Sequence, residues 1–173
     1  MAILPIRTFP DPVLKQKATK VRNIDKSIHK LIEDMLETMY DAPGVGLAAS
    51  QVGVPIRLIV IGNIPEQDEI VLINPEVVKK KGERVVSEGC LSIPGYTGEV
   101  NRAETVTVKG LDPSGKEVRI RGSDLLGQAL EHEIDHTNGI LYIDQLCEGT
   151  SLKKAEPKHE AEEEGEEQET PEI

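Results

Sequence analysis

The chain has 173 residues and a formal net charge of −11, unevenly placed: the eighteen residues from Glu156 to Ile173 contain nine Glu and one Lys. The first 155 residues hold 22 acidic against 19 basic residues and are close to balanced. No Lys/Arg stripe of the kind that marks nucleic-acid binding is present, which argues against a DNA-binding role and against electrostatic attachment to an anionic membrane.

The length fits one catalytic-sized domain over about residues 1–150, followed by an acidic extension over 151–173. Only Phe9, Tyr40, Tyr96 and Tyr142 are aromatic, so the core must come from Ile, Leu, Val and Ala. No apolar run approaches the roughly 18–20 residues of a membrane span. The first ten residues lack the charged and long apolar regions of a signal peptide. Two cysteines, Cys90 and Cys147, make no disulfide framework. A soluble, cytoplasmic location is expected.

The clearest helix is predicted from about Asp25 to Tyr40. Ile28, Leu31, Ile32, Met35, Leu36 and Met39 form one apolar stripe at helical spacing, Asp25 supplies an N-cap, and Pro43-Gly44 closes the segment. A small, glycine-punctuated stretch from Gly44 to Gly53 follows. Strands are predicted at Arg57–Ile61 and Ile70–Ile73, and Glu76–Ser87 reads as a ribbon broken at Lys81-Gly82. Glu104–Lys109 and Glu117–Arg121 form a hairpin around Asp112-Pro-Ser-Gly115. A second helix begins near Ser123 and stops at Asn138-Gly139. Strands mixed with two separated helices, without regular βαβ alternation, define an α+β fold. From Glu156 onward the chain has too little apolar surface to offset its entropy, and disorder is expected there.

The strongest chemical signal is His132-Glu-Ile-Asp-His136. Two histidines four apart share one helix face and reach one metal ion, and Glu133 between them suits a general base. Leu125, Ala129, His132 and His136 lie on one stripe, so the imidazoles continue a buried face, where they need a bond or a metal. A catalytic metal requires a third protein ligand and an open position. Cys90, in Glu88-Gly-Cys-Leu-Ser92, supplies a thiolate. Asp135 is a candidate to orient an imidazole.

Three segments together resemble the motifs of peptide deformylases: Gly44-Val-Gly-Leu-Ala-Ala-Ser-Gln51, Glu88-Gly-Cys-Leu-Ser92 and His132-Glu-Ile-Asp-His136. The flanks Phe9-Pro-Asp-Pro-Val-Leu14, Ile73-Asn-Pro75, Ser92-Ile-Pro94 and Gly139-Ile-Leu-Tyr-Ile-Asp144 are similar as well, and the resemblance covers about residues 2–147. It implies β-sheets packed around a central helix that carries the two histidines, with an amphipathic helix nearer the N-terminus. It implies removal of the formyl group from the formyl-methionine of nascent polypeptides, with release of formate. Cys90, His132 and His136 then become the metal ligands, and Glu133 the base and proton donor. The Gln51 amide and the Leu91 N–H become the oxyanion donors, and Gly46 lies where the substrate backbone binds. Ferrous iron is the implied metal, with zinc, nickel or cobalt able to occupy the same site. By the same analogy Val45, Leu125 and Ala129 are nominated for the methionine pocket, and Glu88 with Arg102 as a charged brace for the Cys90 loop.

The chain departs from the family pattern at three places. Glu131 stands where Gln is common, and would add negative charge near the metal if it points inward. Thr137 replaces an aliphatic residue. The acidic tail stands where many bacterial members carry a basic helix, so any docking on the ribosome near the exit tunnel is expected to use another surface. Two other readings are a general His-Glu-x-x-His metallopeptidase and a structural metal module, the latter needing Cys147 as a fourth ligand.

Overall fold

In the computed structural model, residues 2–155 and 171–173 are described. The first long element is helix α1, Lys26–Asp41. The Asp25 side chain accepts from the Ile28 N–H at 3.1 Å, satisfying one of the open donors of the first turn. The apolar stripe puts Ile32, Met35 and Met39 into a cluster with Leu47, Leu58, Val60 and Ile73.

That cluster lies against a five-stranded antiparallel sheet in the order β1-β2-β3-β6-β7. Its strands are β1 Gly46–Ala48, β2 Leu58–Ile61, β3 Ile70–Lys81, β6 Thr105–Leu111 and β7 Glu117–Ser123. A second sheet has the order β4-β5-β8, from β4 Arg84–Cys90, β5 Ile93–Arg102 and β8 Lys153–Lys154. Helix α2, Asp124–Thr137, packs Ala129, Leu130 and Ile134 against Val45, Ile59, Ile61, Val106 and Val108 of the larger sheet. The architecture is α+β with antiparallel sheets and two helices, as the pattern of elements predicts.

The segment read as a ribbon broken at Lys81-Gly82 is organised differently. β3 runs unbroken from Ile70 through Asn74-Pro75 by means of register shifts, and pairs with β2 and β6. At Gly82, whose φ of +69° favours glycine, the chain turns out of that sheet, and β4 pairs with β5 in the other. Cys90 is thereby delivered to the end of β4, on the smaller sheet, facing α2. The expectation of disorder for residues 156–170 lies outside the described residues. Pro171–Ile173 run beside Gly89, and Ile173 is fully buried.

Candidate active site

Three donor atoms converge between β4 and α2. Cys90 Sγ lies 3.4 Å from His136 Nε2, and the two Nε2 atoms of His132 and His136 are 3.1 Å apart. The ligand atoms of Cys90, His132 and His136 all fall within 4.8 Å of one another, and all three residues are buried. The helical spacing of four brings the two rings onto one face of α2. His132 Nδ1 is bonded to the Glu88 carboxylate, so its Nε2 lone pair is turned toward the centre. The donor set, one soft thiol and two imidazoles with an oriented tautomer, fits a transition-metal dication. Among the described residues Cys147, the fourth ligand that a closed structural site would need, is not part of this group.

The electrostatics favour positive charge at this point. Burial pushes the His132 pKa down, but the Glu88 carboxylate and Cys90 outweigh it and hold the ring's pKa well above the usual histidine value. His136 is held well below that value by burial and by the charge on His132.

Glu133 reaches the same centre from α2. Its Oε1 is 4.0 Å from His132 Nε2, and both carboxyl oxygens are buried with no hydrogen-bond partner among the described residues. Burial is the main cause that pushes its pKa up to about 7, with Glu88 and Asp135 adding to the shift. The carboxyl group presses on β1: a Cβ on Gly46 would stand 2.9 Å from Glu133 Oε1, so only glycine fits there.

Gln51 completes that wall. Its carbonyl oxygen accepts from the Ala48 N–H at 2.9 Å, which turns the NH2 group toward Ser92 Oγ at 3.0 Å and Cys90 Sγ at 3.6 Å. The Leu91 N–H, next in sequence to Cys90, donates to Ile173 O at 3.2 Å. Val45, Ala129 and, partly exposed, Leu125 belong to one apolar cluster. The structure thus brings Cys90, His132, His136, Glu133, Gly46 and Gln51 together, and Val45, Leu125 and Ala129 into one apolar cluster.

The bracing network differs from the expectation in one respect. Among the described residues Asp135 makes no bond to an imidazole; it accepts from Arg102 at 2.7 Å and from Gln145 at 2.9 Å. Glu88 holds His132 instead, and Arg102 Nε donates to Glu88 at 3.0 Å, as the proposed brace required. Gln128 donates to the same carboxylate at 3.2 Å, and the sequence held no local sign of this. Burial raises the Glu88 pKa, but His132 and Arg102 overcome it and bring it to about 2. Glu131 turns away from this work: it accepts from the Ala103 N–H at 2.8 Å and pairs with Lys80 at 2.8 Å. Its charge is compensated locally rather than offered to a metal. Ser92 and Tyr142 are further partners, the latter stacked on His132 at 6.3 Å between ring centres. Both lie inside segments that carried the resemblance.

Three convergent donors, an unpartnered buried carboxyl group and inward-facing amide donors define the site of a metal-dependent amide hydrolase. Comparison with known proteins narrows the class. The model of the polypeptide deformylase family matches residues 3–151. A peptide deformylase of Dehalococcoides mccartyi strain CBDB1 is 56% identical over 164 residues, covering 95% of this chain and 98% of that protein. One from Halothermothrix orenii is 55% identical, covering 84% of this chain and 95% of that protein. The crystal structure of a peptide deformylase from Legionella pneumophila superposes with a TM-score of 0.82 at 50% identity, covering 85% of this chain and 88% of that one. That of Synechococcus elongatus, in complex with actinonin, does so with 0.80 at 41%, covering 84% of this chain and 80% of that one. The chain belongs to the polypeptide deformylase family, metal-dependent hydrolases that remove the N-formyl group from nascent polypeptides.

Proposed function

We propose that Cys90, His132 and His136 hold a single ferrous ion and that Glu133 is the proton-transferring group of deformylation. The observation that carries the reading is the Glu133 carboxyl group, buried without a partner beside three convergent donors, its pKa raised to about 7. When bound, the metal supplies Lewis-acid activation of water near neutral pH. Glu133 accepts a proton from the attacking water and returns it to the leaving amine nitrogen, and a pKa near the working pH serves both directions. The Gln51 NH2 and the Leu91 N–H donate to the oxygen of the formyl carbonyl as charge develops on it; loss of one such donor costs ~3–4 kcal/mol. A neutral amide suits this place because a carboxylate would repel the oxyanion. Gly46 lets the substrate backbone lie close to Glu133, and Val45, Leu125 and Ala129 take up the methionine side chain.

In this reading the sheets serve to pack around a central helix α2, with the amphipathic α1 supporting the β1 wall. Residues 1–150 form the catalytic domain and 151–173 an acidic extension. The enzyme works in the cytoplasm on chains leaving the ribosome. Any docking there uses a surface other than a C-terminal basic helix; the cavity lined by Lys79, Lys81, Arg121, Thr105 and Thr107 on the larger sheet has the right charge. No helix among the described residues is long and apolar enough to cross a membrane.

Protein purified without oxygen should hold one iron per chain and release formate from a formyl-methionyl peptide, leaving an acetyl-methionyl peptide intact. Zinc, nickel or cobalt exchanged into the same ligands should give lower or altered rates. No formate from metal-loaded protein would overturn the proposal, and cleavage of internal peptide bonds would favour the general metallopeptidase.

A further inference from the structure

The three metal donors come from two elements that share no apolar core. Ala129, Leu130 and Ile134 of α2 pack with the larger sheet, whereas Val86 and Cys90 of β4 pack with Leu14, Ile93 and Val100. No apolar cluster among the described residues contains side chains of both α2 and β4. Polar contacts therefore set the spacing between Cys90 and the two histidines. They form a ladder that climbs α2 turn by turn. Arg84 Nη2 donates to Asp124 O at 2.6 Å, and Gln128 Nε2 donates to Ser87 O and to Glu88 Oε2, each at 3.2 Å. His132 Nδ1 bonds to Glu88 Oε1, and His136 Nε2 lies 3.4 Å from Cys90 Sγ. Residues 124, 128, 132 and 136 are four apart and follow one face of the helix.

We propose that Gln128 is a positioning residue for the metal centre: it fixes the gap between α2 and β4, and so sets where Cys90 stands relative to His132 and His136. The inference rests on the assignment of those three residues as metal ligands. Gln128 is buried one helical turn before His132, and its amide grips β4 at two levels. The bond to Ser87 O holds the main chain of the strand. The bond to Glu88 Oε2 holds the carboxylate whose other oxygen meets His132.

The position of this grip matters. β4 leaves its regular pairing with β5 between Glu88 and Cys90, where the register shifts. Beyond an irregularity of this kind the ladder of the sheet no longer dictates where the next side chain lies. Gln128 anchors the last two residues before the shift, so the thiol is placed from α2 rather than from β5 alone. A neutral amide also suits the chemistry. Arg102 already bonds to Glu88, and a second cation would draw off the negative charge that makes His132 a stronger ligand through its other nitrogen. A carboxylate at 128 would repel Glu88 outright.

The test uses cobalt as the probe ion. Gln128→Met keeps the length of the side chain and removes its donor. In chelator competition this variant should hold cobalt about tenfold more weakly than the wild type, and the visible absorption bands of the bound ion should shift as the thiolate moves. Gln128→Asn, which keeps the amide but draws it back by one methylene, should change both readouts in the same direction by less. The effects of Gln128→Met and Glu88→Gln should not add: the double variant should bind cobalt no more than about threefold more weakly than Glu88→Gln. A last readout leaves residue 128 untouched. In metal-free protein the Gln128 side-chain NH2 resonances should move on Glu88→Gln, and resonances that stay in place would overturn the inference whatever the variants do. Cobalt affinity and spectrum unchanged in folded Gln128 variants, with the loss confined to the denaturation midpoint, would overturn it as well and leave the ligand assignment intact. A wild type that binds no cobalt would overturn the assignment itself, and the inference with it.

Discussion

Glu88 and Glu133 flank the His132 ring, one at Nδ1 and the other near Nε2, and both are 0% exposed. Yet their surroundings are opposite. Glu88 is surrounded by donors from Arg102, Gln128 and His132, and its pKa is brought to about 2. Glu133 has no hydrogen-bond partner among the described residues, and its pKa rises to about 7. Burial acts on both in the same direction; charge partners decide the outcome. The side of the ring with partners fixes geometry, and the side without them keeps a proton available. Two titratable groups driven apart in this way are how one site acquires a brace and a base.

Breaking each half should give different kinds of loss. The largest belongs to Glu133→Gln, which preserves shape but removes the titrating oxygen. We expect kcat to fall by about a thousandfold with metal content unchanged, read by formate release and elemental analysis. Arg102→Ala acts on the other half by stranding Glu88 as a buried charge. It should destabilise the protein by ~3–5 kcal/mol in denaturant titrations. Unchanged stability, metal content and activity in that variant would remove the bracing role.

In metal-free protein the two carboxylates should shift stability with pH in opposite senses. Glu88 titrates lower in the folded chain than its ordinary 4.5, so its contribution is present above about pH 4.5 and disappears as pH falls toward 2. Glu133 titrates higher, so its burial costs nothing below about pH 4.5 and costs progressively more as pH rises to 7. Each arm spans on the order of 3 kcal/mol. Denaturant midpoints across pH should lose the acid arm in Glu88→Gln and the neutral arm in Glu133→Gln.

A smaller effect is expected on metal retention. Glu88→Gln should weaken metal binding by about 10–100-fold in chelator competition, because His132 loses its charged orienting partner. Glu131→Gln should sharpen the contrast by doing almost nothing there. Its carboxylate is engaged by Lys80 and the Ala103 N–H. Metal affinity should stay unchanged and stability should fall by no more than about 1 kcal/mol.

Much of the fold was legible wherever local rules and tertiary packing agree. Helix α1 and the β6–β7 hairpin fall within a few residues of the segments marked by the apolar stripe, the Asp25 cap and Asp112-Pro-Ser-Gly115. Strand β5 is not among the expected strands; its segment holds Pro94, Gly95 and Gly98, residue types depleted in strands. Gly98 is instead a packing position, where a Cβ would lie 2.5 Å from the Leu146 side chain. The three metal donors could be grouped from helix spacing plus one thiol. Their support could not, since Glu88 and His132 are 44 residues apart and a nearer acidic residue, Asp135, looked equally suitable. What separated them was Arg102, which bonds to both carboxylates and leaves only Glu88 on the ring. The burial of Ile173 was hidden by its own context, a single apolar residue following an acidic run.

The division of labour in the site depends most on Glu133 and Glu88 holding opposite protonation states. Infrared difference spectroscopy of metal-free protein, at a pH between 4.5 and about 7, reads this directly. A protonated-carboxyl band that persists in Glu88→Gln and vanishes in Glu133→Gln is the predicted result. Its absence from the wild type, or its loss in Glu88→Gln alone, would contradict it.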